Sequence, residues 1–273
     1  MCNVLSDLYS IGAVEIDHFL AILALSTKLT EAQRKEVALG IMGGMEDKIK
    51  EAGSRIVGGQ TVRNPWVITG GSAIAYIKDP NQILRNTQAQ AGDLLILTKP
   101  LGTQLLVNFA QYYRISPEKK EKLIQAGLTE IDLAKITDRV HKAMSTLNLY
   151  GAMEMRNIGS GFRACTDVTG FGLRGHAENL VEIQERPVDF VIDYLPVFQG
   201  LAKYDNIVRE FKLREGLAAE TSGGLLIVAE ESKALKFVDN MKRNHNIDSW
   251  IVGKVTEGSR KVMIPKDVQI REV

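Results

Sequence analysis

The segment TDVTGFGLRGH at residues 166–176 decides the fold that we expect for this chain. Residues 161–165, which precede it, are typical of a short strand, and the apolar spacing of residues 177–182, which follow it, is typical of a helix. The segment is therefore predicted to be a strand-to-helix turn. Gly170 and Gly172 permit backbone conformations that are closed to other residues, so the backbone at this turn can approach a ligand closely.

Asp167 lies at the mouth of this predicted turn. Free backbone N–H groups at the start of the following helix would favour an anion such as phosphate. A carboxylate cannot face phosphate unaided, but it can hold a Mg²⁺ ion that bridges to phosphate oxygens. The pattern alone leaves a second interpretation open, in which the segment is a glycine-rich turn and Asp167 only caps a helix.

The composition is that of an ordinary globular protein of one or two domains, with 45% hydrophobic and 25% charged residues. A net charge of +1 gives no indication of a nucleic-acid partner. Cys2 and Cys165 are the only cysteines, which excludes a disulfide framework and a cysteine-rich zinc site and is typical of a reducing cytosol. We find no secretory start and no apolar run long enough to cross a bilayer, so a cytoplasmic protein without a membrane partner is expected.

The segment at 166–176 resembles the TDVTGFGLxGH signature of the selenophosphate synthetases (selenide, water dikinases), members of the superfamily named after aminoimidazole ribonucleotide synthetase. Sister families, including the thiamine-monophosphate kinases and hydrogenase-maturation proteins, have a different amino-acid sequence at this turn. The resemblance continues, in the family's order, in the blocks NVLSDLY, GGQT, LTKPLGT and ETSGGLL, which begin at residues 3, 58, 97 and 220. Together these blocks span nearly the whole chain.

The resemblance implies an α+β (α/β layered) chain with the two-domain aminoimidazole ribonucleotide synthetase-like fold. Residues 78–91 have little periodicity and mark the expected boundary. We therefore expect the trailing part of an N-terminal ATP-binding and dimerisation domain at 1–88 and a C-terminal α/β domain at 89–273. The first domain is expected to be incomplete, because in the family a long portion precedes its helix at 2–10, and the strands at 15–26 and 66–77 should then have unpaired apolar edges.

The resemblance also implies metal ligands and a nucleotide site. Asp7 corresponds to a family aspartate that holds Mg²⁺ at the nucleotide phosphates, and Asp167 is expected to be a second metal ligand. The residue pattern alone would make Asp7 a surface residue of an amphipathic helix.

The nucleotide is expected to contact the GGQT block. Its residues are Gly58, Gly59, Gln60 and Thr61. They are predicted to follow a short strand at 54–57, with the strand at 66–77 as a hairpin-like partner. An ordinary hairpin turn is the alternative interpretation.

No catalytic group is assigned within the chain. In the family, the Cys or selenocysteine and the Lys that act on the substrates lie in an N-terminal segment whose counterpart is expected to be absent here. Lys99, at a strand end, is expected to point to water. His176 is expected to be a packing or hydrogen-bonding residue, and Cys165 a small core residue.

The reaction implied by the resemblance converts ATP, selenide and water to selenophosphate, orthophosphate and AMP, with Mg²⁺ and cationic groups neutralising charge. ATP and selenide are the expected substrates, and a homodimer, or a heterodimer with a full-length synthetase, is the expected assembly. The alternative is a catalytically inactive short form that binds nucleotide weakly or pairs with a full-length synthetase. Turnover by this chain alone is not expected.

Overall fold

The computed structural model describes all residues 1–273. The N-terminal part alternates helices and strands. Its elements are α1 at Cys2–Ser10, β1 at His18–Ser26, α2 at Glu31–Glu51, β2 at Ile56–Asn64 and β3 at Ile68–Ile74. The sequence predicts a capping box at residues 30–33, and helix α2 begins there, with the side chains of Thr30 and Gln33 forming the reciprocal bonds of the box.

The rest of the chain supplies eight further strands and six further helices. They are β4 at Leu94–Leu97, α3 at Thr103–Ile115, α4 at Pro117–Gln125, α5 at Glu130–Ser145, α6 at Leu149–Ile158, β5 at Phe162–Asp167, α7 at Gly172–Glu182, β6 at Val188–Ile192, β7 at Tyr194–Val197, β8 at Leu225–Ala229, α8 at Glu231–His245, β9 at Trp250–Glu257, β10 at Val262–Met263 and β11 at Gln269–Glu272. None of the helices has the length and apolar character needed to span a membrane.

Strand β1 is the centre of a three-stranded sheet, parallel to β2 and antiparallel to β3. The predicted hairpin-like pair is therefore wrong, because β2 and β3 lie on opposite sides of β1. The connection between them crosses the end of β1, where Ser26 Oγ donates to the carbonyl oxygen of Pro65 at 2.9 Å. The expectation of an unpaired edge is wrong for β1, which pairs on both sides; the free edges of this sheet belong to β2 and β3.

One face of the three-stranded sheet is apolar and exposed. Along β1, Phe19, Ala21 and Leu23 are buried, whereas Leu20 and Ile22 are 40% and 48% exposed. The strand registers place further exposed apolar side chains, those of Val62, Ile68 and Ile74, on the same face as Leu20 and Ile22. We call these five residues the exposed sheet face.

A six-stranded sheet in the order β10-β6-β9-β4-β8-β5 carries the core of the rest of the chain. Every residue of β8 is buried, because the sheet is covered on both faces. Leu225 and Ile227 face a core shared with α1, α6 and α8. Leu226 and Val228 face a second core shared with α3, α5 and α7. The sequence predicts a strand at 225–229, and the structure confirms it.

The sequence predicts a helical stretch at about 197–211, after β7, and this prediction is wrong. Only a single 3₁₀ turn at Ala202–Tyr204 forms there. Further along, the carboxylate of Asp205 accepts from the backbone N–H of Leu213 at 3.2 Å, a local bond that competes with helical hydrogen bonding. Strands β7 and β11, which form a separate parallel pair, were not predicted from the sequence.

Candidate metal and nucleotide site

The signature segment folds as the predicted strand-to-helix turn. Asp167 is the last residue of β5, and α7 begins five residues later at Gly172. The next residue, Val168, is fully buried, and its N–H donates to the carbonyl oxygen of Gly224 at 2.9 Å. The position of Asp167 is thus set by β5 on one side and by the turn before β8 on the other.

Helix α1 packs against β5 and brings Asp7 to this turn. The carboxyl groups of Asp7 and Asp167 lie close enough for each to act on the other. Burial raises the pKa of Asp7 above its usual value, and the neighbouring charge of Asp167 raises it further. Two residues far apart in the sequence therefore form a pair of carboxyl groups that repel each other when both are ionised.

The carboxylate pair has the chemistry of a partial cation site. Neither Asp7 nor Asp167 forms an ion pair with a lysine or arginine. No group of three or more His, Cys, Asp or Glu side chains capable of holding a metal is present. Mg²⁺ is commonly held by one or two carboxylates together with waters and substrate phosphates. Two unpaired carboxylates fit that mode of binding and do not form an all-protein cage.

The start of α7 differs from the expectation of free N–H groups. The N–H of Gly172 donates to Thr169 at 3.0 Å, and the N–H of Arg174 donates to the carbonyl oxygen of Gly216 at 2.8 Å. Gly172 has a φ of +69°, and a Cβ there would lie 2.6 Å from the oxygen of Gly216. The expected anion site at this helix start is therefore wrong for these two N–H groups, because the first is bonded within its own turn and the second to the loop before β8.

His176 lies beside the carboxylate pair and has the predicted hydrogen-bonding role. Its Nε2 lies 3.1 Å from Thr169 Oγ1, and its ring packs against Phe171 with 5.4 Å between ring centroids. Burial lowers the pKa of His176, while the charge of Asp7 acts in the opposite direction. The imidazole thus stabilises the turn that follows Asp167.

The four residues of the GGQT block lie inside β2, whereas the sequence predicted them after a strand ending at 57. Gly58 and Gln60 pair with Leu20 and Ile22 and share their face, so Gly59 and Thr61 point to the opposite face. A Cβ at Gly59 would lie 1.9 Å from a backbone oxygen of β1, which gives this glycine a reason within the sheet. No side-chain hydrogen bond links the block to Asp7 or Asp167; its nucleotide role stays a prediction.

Lys99 is buried, which corrects the expectation that it points to water. Its Nζ donates to the carbonyl oxygens of Thr146 at 2.7 Å and Ser222 at 2.8 Å. Burial lowers the pKa of Lys99 to about 8. The lysine therefore ties the end of α5 to the turn before β8, in the same region as Asp167.

The two cysteines have no signs of a reactive thiolate. Cys165 is fully buried in the core, as predicted, and burial raises the pKa of its thiol well above the usual value. Cys2 donates to the carbonyl oxygen of Ser145 at 3.4 Å, and burial likewise raises its pKa.

Sequence reasoning missed two buried polar side chains that support the elements around the carboxylate pair. Glu220 accepts from the N–H of Gly102 at 2.7 Å and from the N–H and hydroxyl of Thr103 at 2.9 and 2.6 Å, and burial raises its pKa to about 7. Asn148 donates to Ser6 and Gly223. Glu220 lies in the ETSGGLL block, which could have indicated it, whereas Asn148 belongs to no motif quoted above.

Two family models match the chain. "AIR synthase related protein, N-terminal domain" matches residues 1–77. "AIR synthase related protein, C-terminal domain" matches residues 90–266, more than half of the chain. The superfamily expected from the signature is thereby confirmed. The domain boundary at 88/89 stays a prediction.

Individual relatives decide the family. The chain is 40% identical over 259 residues to the "Probable selenide, water dikinase" of Caenorhabditis elegans, an alignment that covers 93% of this chain and 67% of the relative. The chain belongs to the selenide, water dikinase family. The "Selenide, water dikinase" of Trypanosoma brucei brucei is 38% identical to the chain. That alignment covers 99% of this chain and 70% of the relative. Human "Selenide, water dikinase 2" is also 38% identical, with 60% of its length covered.

Solved structures place this selenide, water dikinase family member in the expected fold. The hydrogenase maturation protein HypE of E. coli matches with a TM-score of 0.72 at 17% identity, covering 94% of this chain and 72% of HypE. Thiamine monophosphate kinase of Aquifex aeolicus matches with a TM-score of 0.64 at 16% identity, covering 98% and 79%. At such identities the likeness shows the fold alone, and it confirms the predicted α+β class. The chain spans 60–72% of the length of the curated relatives it matches.

Proposed function

We propose that this chain carries the ATP- and Mg²⁺-binding site of a selenide, water dikinase. The proposed reaction converts ATP, selenide and water to selenophosphate, orthophosphate and AMP. Family membership supports the type of reaction. The single observation that carries the site is the carboxylate pair of Asp7 and Asp167, which lie in separate parts of the sequence and meet at one turn.

Asp7 and Asp167 would hold the Mg²⁺. A bound Mg²⁺ neutralises charge on the phosphate oxygens during phosphoryl transfer. The residues of this chain would bind the ion and orient it toward the phosphates. Strand β5 fixes Asp167, and α1 presents Asp7 beside it. With two carboxylates, the remaining coordination positions are left to water and to the phosphates of ATP.

Strand β2 is the proposed contact for the nucleotide. It is an edge strand, so the backbone on its outer side is free to approach a ligand. Gly58 and Gly59 have no side chains to obstruct that approach. Because Gln60 and Thr61 point to opposite faces, the two side chains would contact different parts of the nucleotide or of its surroundings.

The proposed assembly is a cytoplasmic homodimer that buries the exposed sheet face. Its five apolar residues form a patch on a sheet face that no helix covers, and such patches are typical of interaction sites. A full-length synthetase presenting the same face is the other partner that this surface would accept.

The test is calorimetric titration of the chain with ATP, with and without Mg²⁺. We expect binding that requires Mg²⁺ and is weakened at least about tenfold by either Asp7→Asn or Asp167→Asn, because loss of a direct ligand should cost no less than loss of a supporting residue. Asp47→Asn, an exposed aspartate on α2, is the matched control and should bind as the wild type does.

Selenide-dependent release of AMP, measured on the same proteins, then tests turnover separately from binding. A wild-type chain that shows no Mg²⁺-dependent ATP binding would contradict the proposed site. Binding without AMP release would favour the inactive short form.

A further inference from the structure

The junction between α5 and α6 holds a buried amide with an unusual use. Asn148 is 5% exposed and immediately precedes α6. Asparagine in this position commonly caps the helix with its side chain, yet Asn148 forms no such bond. Its Nδ2 instead donates to Ser6 Oγ at 2.8 Å and to the carbonyl oxygen of Gly223 at 2.9 Å. Both amide protons are thus committed to other elements.

The first of these bonds leads to Asp7. Ser6 is buried in α1 and is the residue before Asp7. Successive residues of a helix point about 100° apart around its axis. Holding Ser6 toward the core therefore fixes the rotation of α1, and with it the direction in which the Asp7 carboxylate leaves the helix. Helix α1 has no side-chain N-cap that could supply this restraint.

The second bond leads to Asp167. Gly223 packs so closely against the turn that a Cβ there would lie 2.2 Å from the carbonyl oxygen of Val168. Its neighbour Gly224 accepts from the N–H of Val168 at 2.9 Å. A displacement of this glycine pair would therefore displace Val168 and the carboxylate that precedes it.

Lys99 closes the same assembly from the other side. Its Nζ joins the carbonyl oxygen of Thr146, two residues before Asn148, to that of Ser222, the residue before Gly223. The α5–α6 junction is thereby bonded to the turn at two points. Asn148 continues the connection to α1 at Ser6, next to Asp7, and Cys2 Sγ adds a longer bond of 3.4 Å from the start of α1 to the carbonyl oxygen of Ser145. A buried amide is costly unless its hydrogen bonds are made, so these partners should hold it in one orientation.

We propose that Asn148 is a positioning residue for the metal site, which sets the separation and orientation of the Asp7 and Asp167 carboxylates by bonding α1 to the turn before β8. This inference rests on the proposed Mg²⁺ and ATP site. Asn148 contacts neither carboxylate in the hydrogen-bond network, and it acts through Ser6 and Gly223.

The test separates metal affinity from nucleotide affinity in the full chain. ATP binding is measured over a range of Mg²⁺ concentrations for the wild type, Asn148→Ala and Ser6→Ala. Supporting residues of metal sites typically change metal affinity by about 10–100-fold. We expect the Mg²⁺ concentration for half-maximal ATP binding to rise about tenfold in Asn148→Ala and by less in Ser6→Ala, while ATP affinity at saturating Mg²⁺ changes less than about threefold.

Asn157→Ala, an exposed asparagine in α6, is the matched control. Since Asn148 and Ser6 act in one connection, the double variant should shift the Mg²⁺ midpoint little more than Asn148→Ala does. An unshifted midpoint in folded Asn148→Ala and Ser6→Ala would overturn the inference while leaving the proposed function intact. A wild type without Mg²⁺-dependent ATP binding would overturn both.

Discussion

The two main sheets of this chain use apolar residues in opposite ways. In the six-stranded sheet, strand β8 is buried at every position between two layers of helices. In the three-stranded sheet, the central strand β1 buries only one face, and the edge strand β2 is exposed at seven of its nine positions, which leaves the apolar sheet face open. Apolar content therefore identifies a strand in both regions, but it does not tell which faces are covered.

The buried charged residues are also distributed unequally between the two regions. Every buried charged residue lies at or beyond Asp93, and none lies in the N-terminal part that contains the three-stranded sheet. The candidate metal site joins the two regions, since Asp7 comes from α1 and Asp167 from β5. The C-terminal region thus supplies rigid support, and the N-terminal region supplies the second carboxylate and the open surface.

A matched pair of side-chain truncations tests the difference in burial between β8 and β1. Ile227 of β8 is fully buried, whereas Ile22 of β1 is about half exposed. Ile227→Ala should lower the free energy of unfolding by about 2–5 kcal/mol, because it removes buried methyl groups and leaves a cavity. Ile22→Ala should cost less than about 1 kcal/mol. Urea unfolding at low protein concentration, followed by the fluorescence of Trp66 and Trp250, measures both.

If both truncations lower the free energy of unfolding equally, the Ile22 face of β1 is not exposed in solution. That face would then be covered, as it would be in a stable dimer. Repeating the measurement over a range of protein concentrations separates these cases, since only the covered face gives an unfolding midpoint that depends on concentration.

The sequence predicted local elements well and long-range pairings poorly. The sequence predicts strands at 188–192 and 225–229, which are the bounds of β6 and β8. The turn at 166–176 also has the predicted form, because turn glycines and apolar periodicity are local signals. The position of β1 between β2 and β3 could not be predicted, since the residue pattern of a strand does not show which strands pair with it. The burial of Lys99 was missed for the same reason: its acceptors are carbonyl oxygens of residues 146 and 222.

The candidate site divides along the same line. The resemblance alone indicates Asp7, the turn pattern and the resemblance together indicate Asp167, and the fold brings their carboxyl groups close to each other. Asn148 and Ser6 could not be found from the sequence, because their roles depend on a contact between α1 and the α5–α6 junction.

A buried acid should give the C-terminal region a pH dependence of its own. Burial raises the pKa of Glu220 from about 4.5 to about 7, so the folded chain holds this proton more tightly than the unfolded chain does. The stabilisation is fully present below pH 4.5 and is lost as the pH rises through 7. Between pH 5 and pH 8, Glu220 should therefore reduce the free energy of unfolding by on the order of 2 kcal/mol.

Glu220→Gln should remove that part of the slope, whatever its stability at a single pH. Glu215→Gln, which changes an exposed acid in the same loop, is the control and should keep the wild-type slope. Urea unfolding at pH 5 and pH 8 gives the difference for each protein. A Glu220→Gln slope equal to that of the wild type would show that Glu220 stays ionised throughout this range, held by its three donors.

The smallest effect on stability is expected at the exposed sheet face, where the effect on assembly should be largest. Leu20→Thr and Ile68→Thr together replace two exposed apolar side chains with β-branched residues that suit a strand. In the monomer each change should alter the free energy of unfolding by less than about 0.5 kcal/mol. Loss of apolar contact area should nevertheless weaken self-association, which sedimentation equilibrium measures directly. Ile131→Thr, an exposed isoleucine on α5, is the control. If the double variant associates as strongly as the wild type, the interface lies elsewhere, and the open face of β1–β3 belongs to a different partner.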